Sequence, residues 1–241
     1  MHDDLQTGVE AIDDLDGAAP PLFRHVMTAG DDEAAEADAT ALADTLAACR
    51  RRVAVREAAE LIALGSAADA GSGRVSLGAA GGELLDGARC PVAVAPRGFA
   101  ARARHGIGRI DVGIDGSREA AAALTLAGRL ARAHGARVRL VAIAELDFDL
   151  GGTPRGVDPG ELDRLARHLG QASDGLAGVE VATELREGLA DQVLVGLSRE
   201  ADLLLLGTRA AFGDSDRVAL GGVAARVLRT VASPTMIVPG P

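Results

Sequence analysis

The sequence predicts an α/β protein assembled from two related units with parallel sheets, and three observations lead there. From residue 109 onward, short runs rich in Val, Leu and Ile alternate with longer amphipathic stretches, the rhythm that parallel βαβ units require. The chain also repeats itself. LIALGSAADAGSGRVSLGAAGGELLDGARCPVAVAP at 61–96 and LLLLGTRAAFGDSDRVALGGVAARVLRTVASPTMIVP at 203–239 share one order: apolar run, Gly, small-residue loop, Arg-Val-x-Leu-Gly, helical stretch, Pro, apolar run, Pro. Gly78 to Pro91 and Gly221 to Pro234 are each 13 positions apart, a register that chance would not keep across a loop, a helix and a strand. The third observation is composition. Hydrophobic residues make up 48% of the chain but aromatics only 2%, with no Trp or Tyr, so the core has to be packed from Ala, Val, Leu and Ile. That palette suits helices laid closely on parallel strands.

The elements follow in order. Residues 1–20 carry six acidic side chains (Asp3, Asp4, Glu10, Asp13, Asp14 and Asp16) with little apolar periodicity, and read as a solvated tail or lead-in. LFRHVM from Leu22 is strand-like, and DDEAAEADATALADTLAACR after it has the acidic start and Ala/Leu spacing of an amphipathic helix. RVAVREAAELIALGS reads either as two short strands or as a helix running into one strand. A helix from about Leu77, the strand PVAVAP at 91–96 and a basic linker at 97–109 close the first half. In the second half RIDVGID is a strand, Ser117 an N-cap, SREAAAALTLAGRLARAHG a helix ending at Gly135, and RVRLVAIAE a strand. LDFDLGGTPRGVDPG is a loop, ELDRLARHLGQASDGLAG a helix, VEVATELREG a strand and LADQVLVGLSREA a helix. DLLLLG, VALGGVAARVLRTVA and PTMIVP then supply strand, helix and strand. The expected domains are 1–98, cut down, and 107–241, complete.

With VGIDGS after the opening strand, a Gly loop from Gly207 to Gly221 and the closing PTMIVP, residues 109–239 resemble the universal stress protein family in its tandem two-domain form; in the first half the resemblance covers only about 22–96. It implies adenine-nucleotide alpha-hydrolase-like units with parallel sheets, helices on both faces, and the strand order 3-2-1-4-5 in the complete C-terminal unit. It also implies ATP as the ligand of some members, held by an Asp after the first strand and a G-x-x-G, nine-residue, G-S/T loop. Glycines in such a loop let backbone N–H groups approach phosphate, and the helix that follows adds its positive end. Carried onto this sequence, the binding residues are Asp115, Gly116, Ser117, Ile143, Gly207, Thr208, Arg209, Gly221, Gly222 and Val223. The match is incomplete: Ala210 replaces the intermediate Gly, the spacer is one residue longer, Gly222 replaces the hydroxyl, and Asp214 and Asp216 add negative charge to the loop. The competing reading of Asp-Gly-Ser is a turn and helix cap, and that of the Gly loop an inherited structural turn. In the first half no segment before Leu22 resembles the opening strand, so its Asp and a core strand are expected to be missing. That half is expected to bind no nucleotide and to be stabilised by packing on the second.

Other classes lose support. A net charge of −10 and a pI near 5.0 provide no field for nucleic acid or anionic lipid, and few rings are present for base stacking. Neither a basic, apolar leader at the N-terminus nor an apolar run near 20 residues is found, and Cys49 and Cys90 stand in unlike contexts, so a cytoplasmic protein is expected. Cys90, beside Pro91 at a strand start, reads as a small core residue. The five histidines lack ligand spacing, so no metal is expected. With no Walker, Rossmann or nucleophile-elbow motif, an enzyme is the least supported class. The resemblance implies protein association. The strands PVAVAP and PTMIVP would pair within the chain, and a homodimer is the further partner expected.

Overall fold

A computed structural model describes residues 22–47, 59–103, 106–145, 147–148, 154–208, 218 and 220–240. The first half contains β1 (Val26–Ala29), α1 (Glu33–Ala47), β2 (Leu61–Gly65), α2 (Ala79–Leu85) and β3 (Val92–Ala95). The second half opens with β4 (Arg109–Gly113), α3 (Arg118–His134), β5 (Arg137–Glu145) and the short pair β6 (Asp147–Phe148) and β7 (Pro154–Gly156). It continues with α4 (Pro159–Asp174), β8 (Val181–Gly188), α5 (Ala190–Ser198), β9 (Leu203–Thr208), α6 (Gly222–Leu228) and β10 (Thr235–Pro239). Antiparallel β6 and β7 lie within the stretch read as plain loop.

Local chemistry sets the helix ends. Ser117 Oγ accepts from Ala120 N at 3.1 Å to cap α3, and Gly135 at φ 65° closes it in the left-handed region. Asp158 caps α4, with Pro159 in its first turn.

Among the described residues eight strands form one sheet in the order β1-β2-β3-β10-β9-β4-β5-β8. Each half is parallel within itself, and the two meet where β3 and β10 run antiparallel, with Val94 opposite Thr235 and Val92 opposite Ile237. Leu203 and Leu205 face one core, with α1, α3 and α4; Leu204 and Leu206 face the other, with α2, α5 and α6. The two-residue alternation explains why DLLLLG is apolar throughout: a strand covered on both faces has no side to expose. Both cores draw on both halves and run unbroken across the β3–β10 seam.

The expectation that the first half lacks its opening strand is corrected. β1 pairs in parallel with β2, which pairs with β3, just as β4 pairs with β9 and β9 with β10. The opening strand is therefore Val26–Ala29, which takes only the last two residues of LFRHVM, and the core strand is present. Among the described residues the first half has no counterpart of the outer part: 13 residues (48–60) join α1 to β2, where 68 (135–202) join α3 to β9 and supply β5, α4, β8 and α5. The strand was hidden in the sequence because Gly30-Asp31-Asp32 follows it instead of Asp-Gly-Ser.

The basic linker is anchored. Asp38, 2% exposed, accepts from Gly98 N at 2.7 Å and Ala100 N at 2.8 Å. Cys90 is buried beside β3, as its context predicted; Cys49 lies outside the described residues.

Candidate functional site

Open parallel sheets bind ligands beyond the carboxyl ends of their strands, where the winding reverses. In the second half the reversal falls between β4, whose chain turns through α3 to β5, and β9 on its other side. A cleft of about 370 Å³ lies there. Its floor is the ends of β4, β5 and β9 (Ile114, Val141, Ile143, Leu206), and α4, α5 and α6 contribute Leu165, Leu194 and Val223. Of the residues singled out in the sequence, Asp115, Ser117, Ile143, Gly207 and Val223 line this cleft.

Gly116, Thr208, Gly221 and Gly222 are not among the lining residues, and Arg209 lies outside the described residues. Each of the first four has its own setting. Gly116 sits at φ 80°, in the region that favours glycine, and a Cβ there would overlap the His168 ring of α4. Thr208 is buried at the end of β9. Gly221 is the N-cap of α6 and a Cβ on it would meet nothing within 4 Å, while one on Gly222 would approach Arg226.

Both readings of Asp-Gly-Ser find support in the geometry. Asp115 Oδ1 accepts from Ser117 N at 2.9 Å and Ser117 Oγ at 2.5 Å, which makes the turn, and the carboxylate still faces the cleft. Gly207 has a packing reason of its own, because a Cβ there would overlap the backbone of Glu119 and Ala120 at the start of α3. Gly65 is the same contact in the first half, lying against the backbone of Ala35 in α1.

Sequence reasoning missed Glu145, Glu161 and Arg164, which complete the polar lining. Arg164 Nη2 donates to Glu161 Oε1 at 3.4 Å. The i, i+3, i+4 spacing of Glu161, Arg164, Leu165 and His168 marks one face of α4, a signal that was available. That the face meets the end of β4 was not. His168 Nδ1 is buried there without a hydrogen-bond partner.

The matching place in the first half is built differently. Asp32 Oδ1 accepts from Ala35 N at 2.7 Å, as Ser117 Oγ does from Ala120 N. Arg97 donates to both Asp32 oxygens, at 2.8 and 2.9 Å, and to the Ser66 carbonyl at 3.3 Å. The paired guanidinium, with help from the Ala35 N–H, holds the Asp32 carboxyl down at about 2. Asp31 places its carboxylate where a Cβ of Gly78 would stand, the space that is open at Gly221. No counterpart of β5 or α4 walls this half among the described residues.

A family model described as the universal stress protein family matches residues 106–239. The chain belongs to the universal stress protein family. A universal stress protein of Mycobacterium tuberculosis is 25% identical over 192 residues, covering 76% of this chain and 65% of that protein, so the chain spans about two thirds of the length of the curated relatives it matches. Among solved structures, a universal stress protein from Archaeoglobus fulgidus superposes with a TM-score of 0.58 at 20% identity over 76% of this chain and 63% of that one. A putative universal stress protein from Pseudomonas aeruginosa gives 0.53 at 16% over 90% and 93%. These two likenesses show the α/β fold. No helix among the described residues is long and apolar enough to cross a membrane.

Proposed function

We propose that this chain is a regulatory binding protein of the universal stress type, without catalytic activity of its own, that holds one nucleotide-class ligand in its second half and acts by associating with other proteins. The observation that carries the reading is the convergence of Asp115, Ile143, Gly207 and Val223 on one open cleft at the carboxyl edge of the sheet. Apolar walls with a few convergent polar groups are what a small-molecule site requires.

One site per chain is proposed because no element among the described residues walls the first half where a base would lie and because Asp31 and the Asp32–Arg97 pair fill what remains. In this reading the nucleotide site is a reduced one, confined to the domain proposed at 107–241. The first half serves as its structural partner. Pairing of β3 with β10 spends the closing strand of each half inside the chain, so a homodimer would form through another surface. The acidic composition supports keeping the protein away from nucleic acid and anionic membrane surfaces, and a cytoplasmic location is part of the proposal.

Calorimetric titration of the purified chain with ATP, AMP and adenosine tests the reading. One site per chain is expected. Asp115→Ala should weaken binding at least about tenfold, the loss expected for a charge-assisted hydrogen bond. Absence of binding by all three ligands, or full affinity in Asp115→Ala, would refute it.

A further inference from the structure

A second cavity, of about 450 Å³, lies at the opposite edge of the sheet from the second-half cleft. Its lining includes Leu203 at the start of β9 and Pro234 just before β10, whereas the cleft sits at the carboxyl ends of β4, β5 and β9. Both halves build it. Leu46 of α1 and Phe99 and Arg102 of the linker come from the first; Arg199 and Asp202, between α5 and β9, and Ser233, between α6 and β10, come from the second.

The polar groups of this cavity are left over from the fold. Ser233 is 4% exposed, and its hydroxyl is buried without a hydrogen-bond partner. Such a hydroxyl is a cost to the folded chain, which a partner supplied from outside would remove. Arg199, exposed just after α5, makes no side-chain hydrogen bond or ion pair among the described residues. Arg102 donates to the Ser72 hydroxyl at 3.4 Å and the Arg97 carbonyl at 2.9 Å and meets no carboxylate among the described residues. The carboxylate in the lining, Asp202, accepts from the backbone N–H groups of Gly108 and Arg109, each at 2.9 Å. A guanidinium fork matches a carboxylate in shape and charge, and a hydroxyl can donate to the same oxygens. Asp202 opposes a second negative group on the ligand. Leu46, Phe99, Ile107 and Leu203 offer apolar wall, and the volume is that of a small-molecule site.

We propose that this cavity binds a small organic monocarboxylate, with its charge held by Arg199, Arg102 and the Ser233 hydroxyl and its apolar body against Leu46, Phe99 and Leu203. Because the walls come from both halves, the ligand ties α1 and the linker to the second half. The site stands independently of the nucleotide-class reading.

The test is a calorimetric titration of the full chain with hexanoate and benzoate, each beside its amide, and with succinate. The better carboxylate should bind with a Kd below about 1 mM and exceed both its amide and succinate at least about tenfold in affinity. Added sodium chloride should weaken it by screening the guanidinium charges. Arg199→Gln, at an exposed position with no bond to lose, should weaken it about tenfold. Ser233→Ala should weaken it about threefold yet leave the free chain at least as stable in thermal unfolding, a combination that a serine with a purely structural role would not give. Asp115→Ala should leave it unchanged. Failure of both carboxylates to bind, an amide that binds as tightly as its acid, or full affinity in Arg199→Gln or Ser233→Ala overturns the proposal. Loss of carboxylate binding in Asp115→Ala overturns it too, by moving the ligand to the nucleotide cleft.

Discussion

Arg139→Met is the most informative single change for the fold, because it strips the cation from a carboxylate in the middle of the sheet. Asp111 stands on β4 and is completely buried, and Arg139 lies opposite it on β5. Arg139 Nε and Nη2 donate to the two Asp111 oxygens at 3.0 and 2.5 Å, Nη2 also reaches the Leu197 carbonyl at 3.1 Å, and Nη1 reaches Glu200 at 3.2 Å. Burial pushes the Asp111 carboxyl above the ordinary carboxylate range, against the pull of Arg139. Methionine fills most of the aliphatic stem but leaves Asp111 without its cation. Removing one partner of a buried pair costs about 3–5 kcal/mol, a large part of the roughly 5–15 kcal/mol that holds a domain together. Urea unfolding followed by circular dichroism is the assay, since the chain has no Trp or Tyr to report by fluorescence. A carboxyl whose folded pKa lies above its unfolded value contributes stability below the unfolded value and loses it as pH rises through the folded one. The deficit of Arg139→Met should therefore shrink as the solution is acidified. Replacing both residues, Asp111→Leu with Arg139→Met, should recover most of the loss. A single-variant cost under about 1 kcal/mol, or a double variant as unstable as the single, would refute the account.

Two further outcomes are expected. Gly207→Ala should cost about 3 kcal/mol or more in chemical denaturation, because its Cβ meets the helix backbone, whereas Gly221→Ala should cost less than about 1 kcal/mol; equal costs would show that the contact with α3 is not what requires Gly207. Asp32 has a depressed pKa, so its contribution is present above the ordinary value of 3.8 and lost as pH falls through about 2; acid unfolding of Asp32→Asn should be less steep over that window than that of the unchanged chain, and superimposable curves would count against the Arg97 pairing.

Much of the second half was legible because its signals are local. Ser117 and Gly135 bracket α3 through bonds made within one turn, and the alternation of DLLLLG between two cores requires nothing beyond a strand covered on both sides. The candidate site was legible in part: Asp115 and Gly207 could be paired through the repeat and the family pattern, and both line the cleft. Glu145, Glu161 and Arg164 could not be placed beside them, because they come from β5 and α4, and only the crossover of the chain brings those elements to the end of β4.

By itself the sequence determined the alternation of strands and helices from β4 onward, apart from β6 and β7, and the acidic, aromatic-poor character of the chain, which follow from spacing and composition. Only the tertiary structure decided that Val26–Ala29 is the opening strand of the first half, since the rank of a strand is fixed by which neighbour it bonds, β2 in this case, and not by its own residues. The closing of the first-half site belongs to the same class: Arg97 and Asp32 are 65 positions apart, and they meet because β3 delivers its last residues to the end of β1 across β2. Pairing partners far apart in the chain are chosen by the free energy of the whole sheet, where burial on both faces outweighs any preference a short segment carries.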